Sequence, residues 1–265
     1  MVNFDFTGKN VLISGAGGGI GGGIADVFAK AGAKVYVADW LEENAKKKAN
    51  EINANGGKAV AVKLDVTDLK AIEDTMKMIV DADGGIDNLV TCAGVMYNKP
   101  YMMTKPEEMK LTLDVNLVSV DNLCHEALKY MIPKKAGKIV NIQSASSRLG
   151  NPNSAHYAAS KFGVMGLTQS IALAVAKENI NVNGICPGLV VTGLGDQQNS
   201  STITMYMKAR NCTREEALEA LKTFSPMGRF QTPEDMGNAA LFLCSDYAQN
   251  ITGQSLNVDC GMRLN

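Results

Sequence analysis

Short apolar runs alternate with helical patterns along the whole of this chain, and that alternation narrows the folds open to it more than any other feature. NVLIS (10–14), KVYVAD (34–39), KAVAVKLD (58–65), IDNLVTC (86–92), GKIVNIQS (137–144), INVNGICP (180–187) and SLNVD (255–259) read as buried strands. Helical stretches fill the intervals, which predicts an α/β fold: a doubly wound parallel sheet with helices on both faces. At 265 residues, 46% of them hydrophobic, the chain is long enough to bury the core of one domain spanning 1–265. Two helix starts carry capping signals. Thr104, Pro106 and Glu107 mark one, ahead of Met109, Leu113, Leu117 and Val120; Thr232, Pro233 and Asp235 mark the other. Residues 195–225 read as one or two short helices inserted before the last strand, a candidate substrate lid.

Charge and cysteine usage exclude whole classes. The 26 basic and 27 acidic residues are spread along the chain, leaving no electrostatic footprint for nucleic acid or an anionic membrane. The N-terminus lacks a signal-peptide pattern and no uncharged apolar stretch is long enough to span a bilayer, so the expectation is a cytoplasmic protein. Six cysteines without a CxxC pair, and only two histidines, argue against a disulfide framework or a metal site.

The first strand runs into a stretch where seven of nine residues, 15–23, are glycine. Glycine weakens both strands and helices, so such a run needs a reason. A glycine turn between strand and helix lets backbone N–H groups and the positive helix end approach a pyrophosphate. Gly15, Gly19 and Gly21, with Ile20 between the last two, form a GxxxGxG variant of that fingerprint. Asp39 ends the next strand, placed to accept hydrogen bonds from the adenosine ribose hydroxyls, with Trp40 beside it. A carboxylate there repels a 2′-phosphate, and neither Ala16, Gly17 nor Trp40 offers a cation, which favours NAD over NADP.

Farther along, Tyr157 and Lys161 stand at i and i+4 and share one helix face, while Ser144 ends a strand at the edge where open α/β sheets bind ligands. Taken together with the glycine turn, these residues resemble the short-chain dehydrogenase/reductase family, and the resemblance covers essentially the whole chain. Further matches are Asp65 with Val66 in LDVTD, Cys92-Ala93-Gly94, Asn116 in DVNLVS, and the PGLVVT run containing Pro187, Gly188, Val190 and Thr192. The resemblance implies a Rossmann-like fold, a nicotinamide cofactor, and a Ser144, Tyr157, Lys161 active site assisted by Asn116. It implies that Asp65 and Val66 face the adenine, that the backbone at 92–94 touches the cofactor, and that 187–192 orient the carboxamide. It also implies a homotetramer or homodimer, with helices near 105–130 and 157–178 at an interface. Two departures stand out: Thr91-Cys92-Ala93-Gly94 where the family usually has Asn-Asn-Ala-Gly, and Asp259-Cys260-Gly261 where it has Asp-Gly-Gly, with Cys260 expected to be a buried apolar residue.

The chemistry expected is hydride transfer between NAD(H) and a secondary alcohol or ketone, with Tyr157 as acid/base, Lys161 favouring its phenolate and bonding the ribose, and Ser144 holding the substrate oxygen. Methionines and tyrosines at 95–103 and 205–208 suit a hydroxysteroid or bile acid. The polar 146–156 segment and Lys208, Arg210 and Arg214 of the lid suit a polyol or its phosphate, and the lid resembles that of sorbitol-6-phosphate dehydrogenases. The competing readings are an inactive NAD-binding regulatory protein and a nucleotide-sugar epimerase or dehydratase.

Overall fold

The computed structural model describes residues 4–192 and 197–264, and the side chains of 197–202 fall outside that description. Seven parallel strands form one sheet: β1 (Asn10–Ser14), β2 (Lys34–Asp39), β3 (Lys58–Lys63), β4 (Asn88–Thr91), β5 (Gly137–Ile142), β6 (Ile180–Pro187) and β7 (Ser255–Val258). Their order is β3-β2-β1-β4-β5-β6-β7. The order reverses between β1 and β4, and open α/β sheets bind their ligands at the carboxyl ends of the strands flanking such a switch point.

Side-chain alternation divides the core into two layers. Val11 and Ile13 of β1 point to one face, joined by Val35, Val90, Val140 and Ile185. Leu12 points to the other, with Tyr36, Leu89, Ile139 and Val182. Helices α1 (Gly19–Lys30), α2 (Glu42–Ala54) and α9 (Pro233–Cys244) cover the first face. On the second lie α3 (Leu69–Asp83), α5 (Ser119–Lys134) and α6 (Ala155–Val175). Strands buried on both faces read as the near-continuous apolar runs of the sequence.

Part of the glycine run serves this packing. A Cβ on Gly23 would fall 2.2 Å from Pro233 Cβ, and one on Gly237 2.5 Å from Val27 Cγ2, so α1 and α9 approach closely only because both positions lack a side chain.

Helix boundaries follow their caps. Asp68 accepts hydrogen bonds from the amides of Lys70 and Ala71 to open α3, which closes at Gly84 with φ of 74°. Thr232 caps α9 as its sequence predicts. The expected cap at Thr104 lies one residue early: α4 (Pro106–Leu113) starts from Lys105, whose amide donates to Glu108, while the Thr104 hydroxyl turns back to the Tyr101 carbonyl at 2.6 Å. Five residues of π-helix, Asp114–Val118, join α4 to α5. The 195–225 insertion contains α7 (Gln197–Arg210) and α8 (Arg214–Lys222); residues 195 and 196 lie outside the described ones. Ile203, Tyr206 and Met207 pack with Ala217, Leu221, Leu189 and Phe230 into a small core of their own.

Candidate active site

A cleft of about 1110 Å³ opens along the carboxyl edge of the sheet. Its walls include Gly15, Gly19, Ile20 and Gly21; Asp39 and Trp40; Asp65 and Val66; Cys92, Ala93 and Gly94; Ser144, Tyr157 and Lys161; and Pro187, Gly188 and Val190. All of these were expected from sequence, at positions up to 175 residues apart (190 − 15). Four of the predicted strands stop short of their expected ends, β3 at 63, β4 at 91, β5 at 142 and β7 at 258. The residues just beyond β3, β4 and β5 line the cleft, the first of them still tied to the sheet where the Leu64 amide donates to the Asp39 carbonyl at 2.9 Å and the Gln143 amide to the Ile185 carbonyl at 2.7 Å.

The glycine turn is shaped for a close neighbour. Gly15 has φ of 68°, and a Cβ there would meet Ala93 Cα at 2.7 Å, so β1 and β4 can end side by side only with glycine at 15. Ser14 Oγ ties the same junction by accepting hydrogen bonds from the amides of Cys92 and Ala93 at 3.1 and 3.3 Å. A Cβ on Gly21 would lie 2.3 Å from the Gly15 carbonyl oxygen. Gly18, by contrast, has open space where its side chain would be, on the cleft wall at the start of α1. A pyrophosphate fits this cradle of bare backbone and amide donors.

At the far end of the cleft's dinucleotide side, the Asp39 carboxylate accepts the Gly17 and Leu41 amides, both at 3.0 Å, which fixes it at the corner expected for a ribose. Trp40 stands on the rim, 67% exposed. Asp65 Oδ1 is engaged by the Thr67 amide and hydroxyl at 2.9 and 2.7 Å. Sequence reasoning missed Lys47 and Lys48, which the first turns of α2 bring to the same wall. Lys48 is held by Asp26 and Glu51 at 3.1 and 3.0 Å.

The Ser144, Tyr157 and Lys161 side chains meet at the other end. The Ser144 hydroxyl oxygen accepts the Ser146 amide at 3.0 Å, which leaves its proton to donate. Tyr157 is pushed up by burial, and a hydrogen bond from Ser144 pulls it back down. Lys161 is 4% exposed, donates to the Ile142 carbonyl at 2.8 Å and lies 5.7 Å from the Tyr157 ring centre. Burial lowers it to about 8.

Two predicted residues stand behind the wall rather than on it. Asn116, in the π-helical turn, is fully buried; its Oδ1 accepts the Val95 amide at 2.7 Å and its Nδ2 donates to the Val95 carbonyl and Ser160 Oγ at 2.9 and 3.1 Å. It thereby braces the Gly94–Val95 strip opposite Lys161. Thr192 is 6% exposed and outside the lining residues. Cys260, expected buried, is half-buried and adopts φ of 55°, the left-handed conformation that glycine takes without strain.

At the substrate end, the lining includes Met96, Asn98, Ser146, Asn151, Ser154 and Met262. Neither Tyr101, Met102 and Met103 nor the lid's Tyr206, Lys208, Arg210 and Arg214 are among the described lining residues. The first three are 60 to 89% exposed on a short 3₁₀ turn, and Tyr206 packs within the small core of the insertion.

With this geometry in hand, comparison with known proteins gives a consistent class. Residues 15–263 match the family model described as enoyl-(acyl carrier protein) reductase. The chain belongs to the short-chain dehydrogenase/reductase family of oxidoreductases, whose members bind a nicotinamide cofactor. It is 36% identical to the 3-oxoacyl-(acyl-carrier-protein) reductase FabG of Thermotoga maritima, over 96% of this chain and 98% of that protein. The FabG of Vibrio cholerae is 35% identical over 97% and 98%. Among solved structures, an actinorhodin polyketide ketoreductase with NADPH is similar at a TM-score of 0.91 and 30% identity, covering 96% of this chain and 97% of that one. A protein provisionally assigned as a gluconate dehydrogenase of Agrobacterium tumefaciens matches at 0.89 and 30%, over 99% and 98%.

Proposed function

We propose that this protein interconverts a secondary alcohol and its ketone with NAD(H), using Tyr157 as the acid/base. The observation that carries the reading is the convergence of Ser144, Tyr157 and Lys161 on the wall of the same cleft that begins at the glycine turn. When bound, a nicotinamide cofactor accepts or delivers hydride at the substrate carbon. The protein's residues supply the rest. Ser144 donates a hydrogen bond to the substrate oxygen and places it beside the Tyr157 hydroxyl. Tyr157 removes the hydroxyl proton during oxidation and returns it during reduction. Lys161, when charged, stabilises the phenolate and bonds the ribose of the cofactor. Asn116 acts through others, holding the Gly94–Val95 strip by its two-sided amide clasp. The Gly17–Gly21 amides take the pyrophosphate, Val66 and the 92–94 backbone the adenosine side, and Pro187, Gly188 and Val190 the nicotinamide side, with Thr192 buried at the end of that segment. Trp40 stacks on the adenine.

The preference for NAD rests on Asp39, whose carboxylate, held by the Gly17 amide at 3.0 Å, would repel a 2′-phosphate on the adenosine ribose. The specificity constants for the two cofactors test it; Asp39→Ala erodes the preference, and better use of NADP by the unaltered protein overturns it. A second reading, an NADPH-linked reductase of 3-oxoacyl thioesters, is favoured by the names of the FabG relatives and by the Lys47 and Lys48 side chains on the cleft wall. NADPH oxidation with an acetoacetyl thioester distinguishes it.

For the substrate, the polar wall of Ser146, Asn151 and Ser154 suits a polyol better than a hydroxysteroid, because those groups need hydrogen-bonding partners. We propose the 195–225 insertion as a lid, since its Ile203, Ala217 and Leu221 core packs against Leu189 of the cleft wall. We place the protein in the cytoplasm, where its six thiols stay reduced. It acts as a homodimer or homotetramer through α5 and α6, which expose Ile132, Phe162 and Leu173, with Val118 exposed at the π-helical turn just before α5.

A further inference from the structure

The C-terminal tail brings a cation to the substrate end of the cleft that no part of the expected site uses. Arg263 lines the wall beside Met262. Its position is held from several sides: Asp259 accepts the amides of Gly261 and Arg263 at 3.0 and 2.8 Å, and Asn257 Nδ2 donates to the Arg263 carbonyl at 3.0 Å. Two contacts place the tail relative to the chemistry. A Cβ on Gly188 would fall 2.8 Å from Met262 Sδ, so the tail borders the segment assigned to the nicotinamide. Asn257 Oδ1 accepts Arg148 Nε at 3.0 Å, so the same asparagine ties the tail to the turn that starts at Ser144.

The guanidinium itself is underused. Nη1 donates to the carbonyl of Met262 at 2.8 Å, Nε is buried with no hydrogen-bond partner, and among the described residues no carboxylate lies within ion-pair distance. Arg148, the neighbouring cation, is committed to Asn257 and to the Ser255 carbonyl at 2.7 Å. A buried donor without an acceptor is costly, and a guanidinium is a fork matched to an oxyanion.

We propose that Arg263 binds an oxyanion, a carboxylate or phosphate, on the substrate, so that the substrate class is an anionic polyhydroxylated secondary alcohol or its ketone. This rests on the oxidoreductase reading above. Ser146, Asn151 and Ser154 meet the hydroxyls while Arg263 anchors the charged end, fixing which carbon faces Tyr157.

Calorimetric titration of the NADH complex with gluconate, sorbitol 6-phosphate and neutral sorbitol reads the anchor directly, without requiring turnover. At least one anionic compound binds about ten- to a hundredfold more tightly than sorbitol, and Arg263→Gln erases that ratio. Arg263→Lys, which keeps the charge and loses the fork, recovers part of it. Far-ultraviolet circular dichroism and NADH titration check that each variant is folded. Equal binding of charged and neutral compounds, or an unchanged ratio in Arg263→Gln, overturns the inference. Turnover of the same three compounds separates the two claims: anion-selective binding without hydride transfer defeats the oxidoreductase reading alone, and turnover without anion preference defeats the anchor alone.

Discussion

Lys161 shows at one residue how function and stability oppose each other. Its ammonium is buried among β5, α6 and the 92–95 strip with one carbonyl as its hydrogen-bond acceptor, and burial brings it from 10.5 to about 8. Below about pH 8 the folded protein must hold a desolvated charge, whereas the unfolded chain solvates it. Between 8 and 10.5 the unfolded chain binds more protons, so stability rises with pH in that window as the cost is relieved. A shift of this size corresponds to on the order of 3 kcal/mol. Lys161→Met, which keeps the volume, therefore raises the melting temperature at pH 7 while destroying activity, and the gain shrinks between pH 8 and 10.5. Differential scanning calorimetry across that range checks it; a variant less stable than the parent at pH 7 contradicts the argument. Tyr157 follows different logic, since Phe retains the ring and removes only the hydroxyl that exchanges the proton. Asn116→Ala leaves the Val95 amide and carbonyl without their clasp, and about a tenfold or larger loss in kcat with NADH binding largely kept marks its positioning role.

At the scale of elements, the glycine run divides into two kinds of position. Gly21 packs against the turn itself and Gly23 against Pro233 of α9. Gly21→Ala pushes a methyl into the Gly15 carbonyl, deforming the cradle, so it weakens NADH binding at least tenfold as well as costing stability. Gly23→Ala forces α1 and α9 apart, with a loss of about 1–3 kcal/mol in denaturant unfolding and NADH affinity within a few-fold of the parent. The sequence alone did not separate the two, because a fingerprint counts glycines without saying what each one meets. Strand positions were legible because strands buried on both faces show as short, near-continuous apolar runs between helical patterns. Strand ends were less so: Ser144 and Cys92 are as small or apolar as their neighbours but lie beyond the strand ends and line the cleft. The π-helical turn at Asn116 left no pattern, since one wider turn does not disturb the apolar spacing around it. Lys47, Lys48 and Arg263 escaped notice because nothing local distinguishes a cleft-lining cation from a solvated one; the fold alone brings α2 and the tail to the site.

Over the whole molecule, α6 has to serve three demands. It carries Tyr157 and Lys161, packs Val164, Thr168, Ala172 and Val175 on the sheet, and presents Phe162, Gly166 and Leu173 along an exposed stripe. Its mean hydropathy of 1.2 over a membrane-length window thus comes from a core face and an outward apolar face on one helix. Association of copies through that stripe predicts a multiple of 28.2 kDa by light scattering at micromolar concentration, reduced toward the single-chain mass by Phe162→Glu with Leu173→Glu. The central claim, however, concerns the cleft, and it is tested most directly by following the NADH absorbance band in wild-type protein and Tyr157→Phe with NAD and a panel of neutral and anionic secondary alcohols. The account predicts that at least one alcohol reduces NAD in the wild type, and that Tyr157→Phe slows that reaction about a hundredfold or more while still binding NADH. An undiminished rate in Tyr157→Phe, or no hydride transfer to either NAD or NADP from any alcohol in the panel, would contradict it.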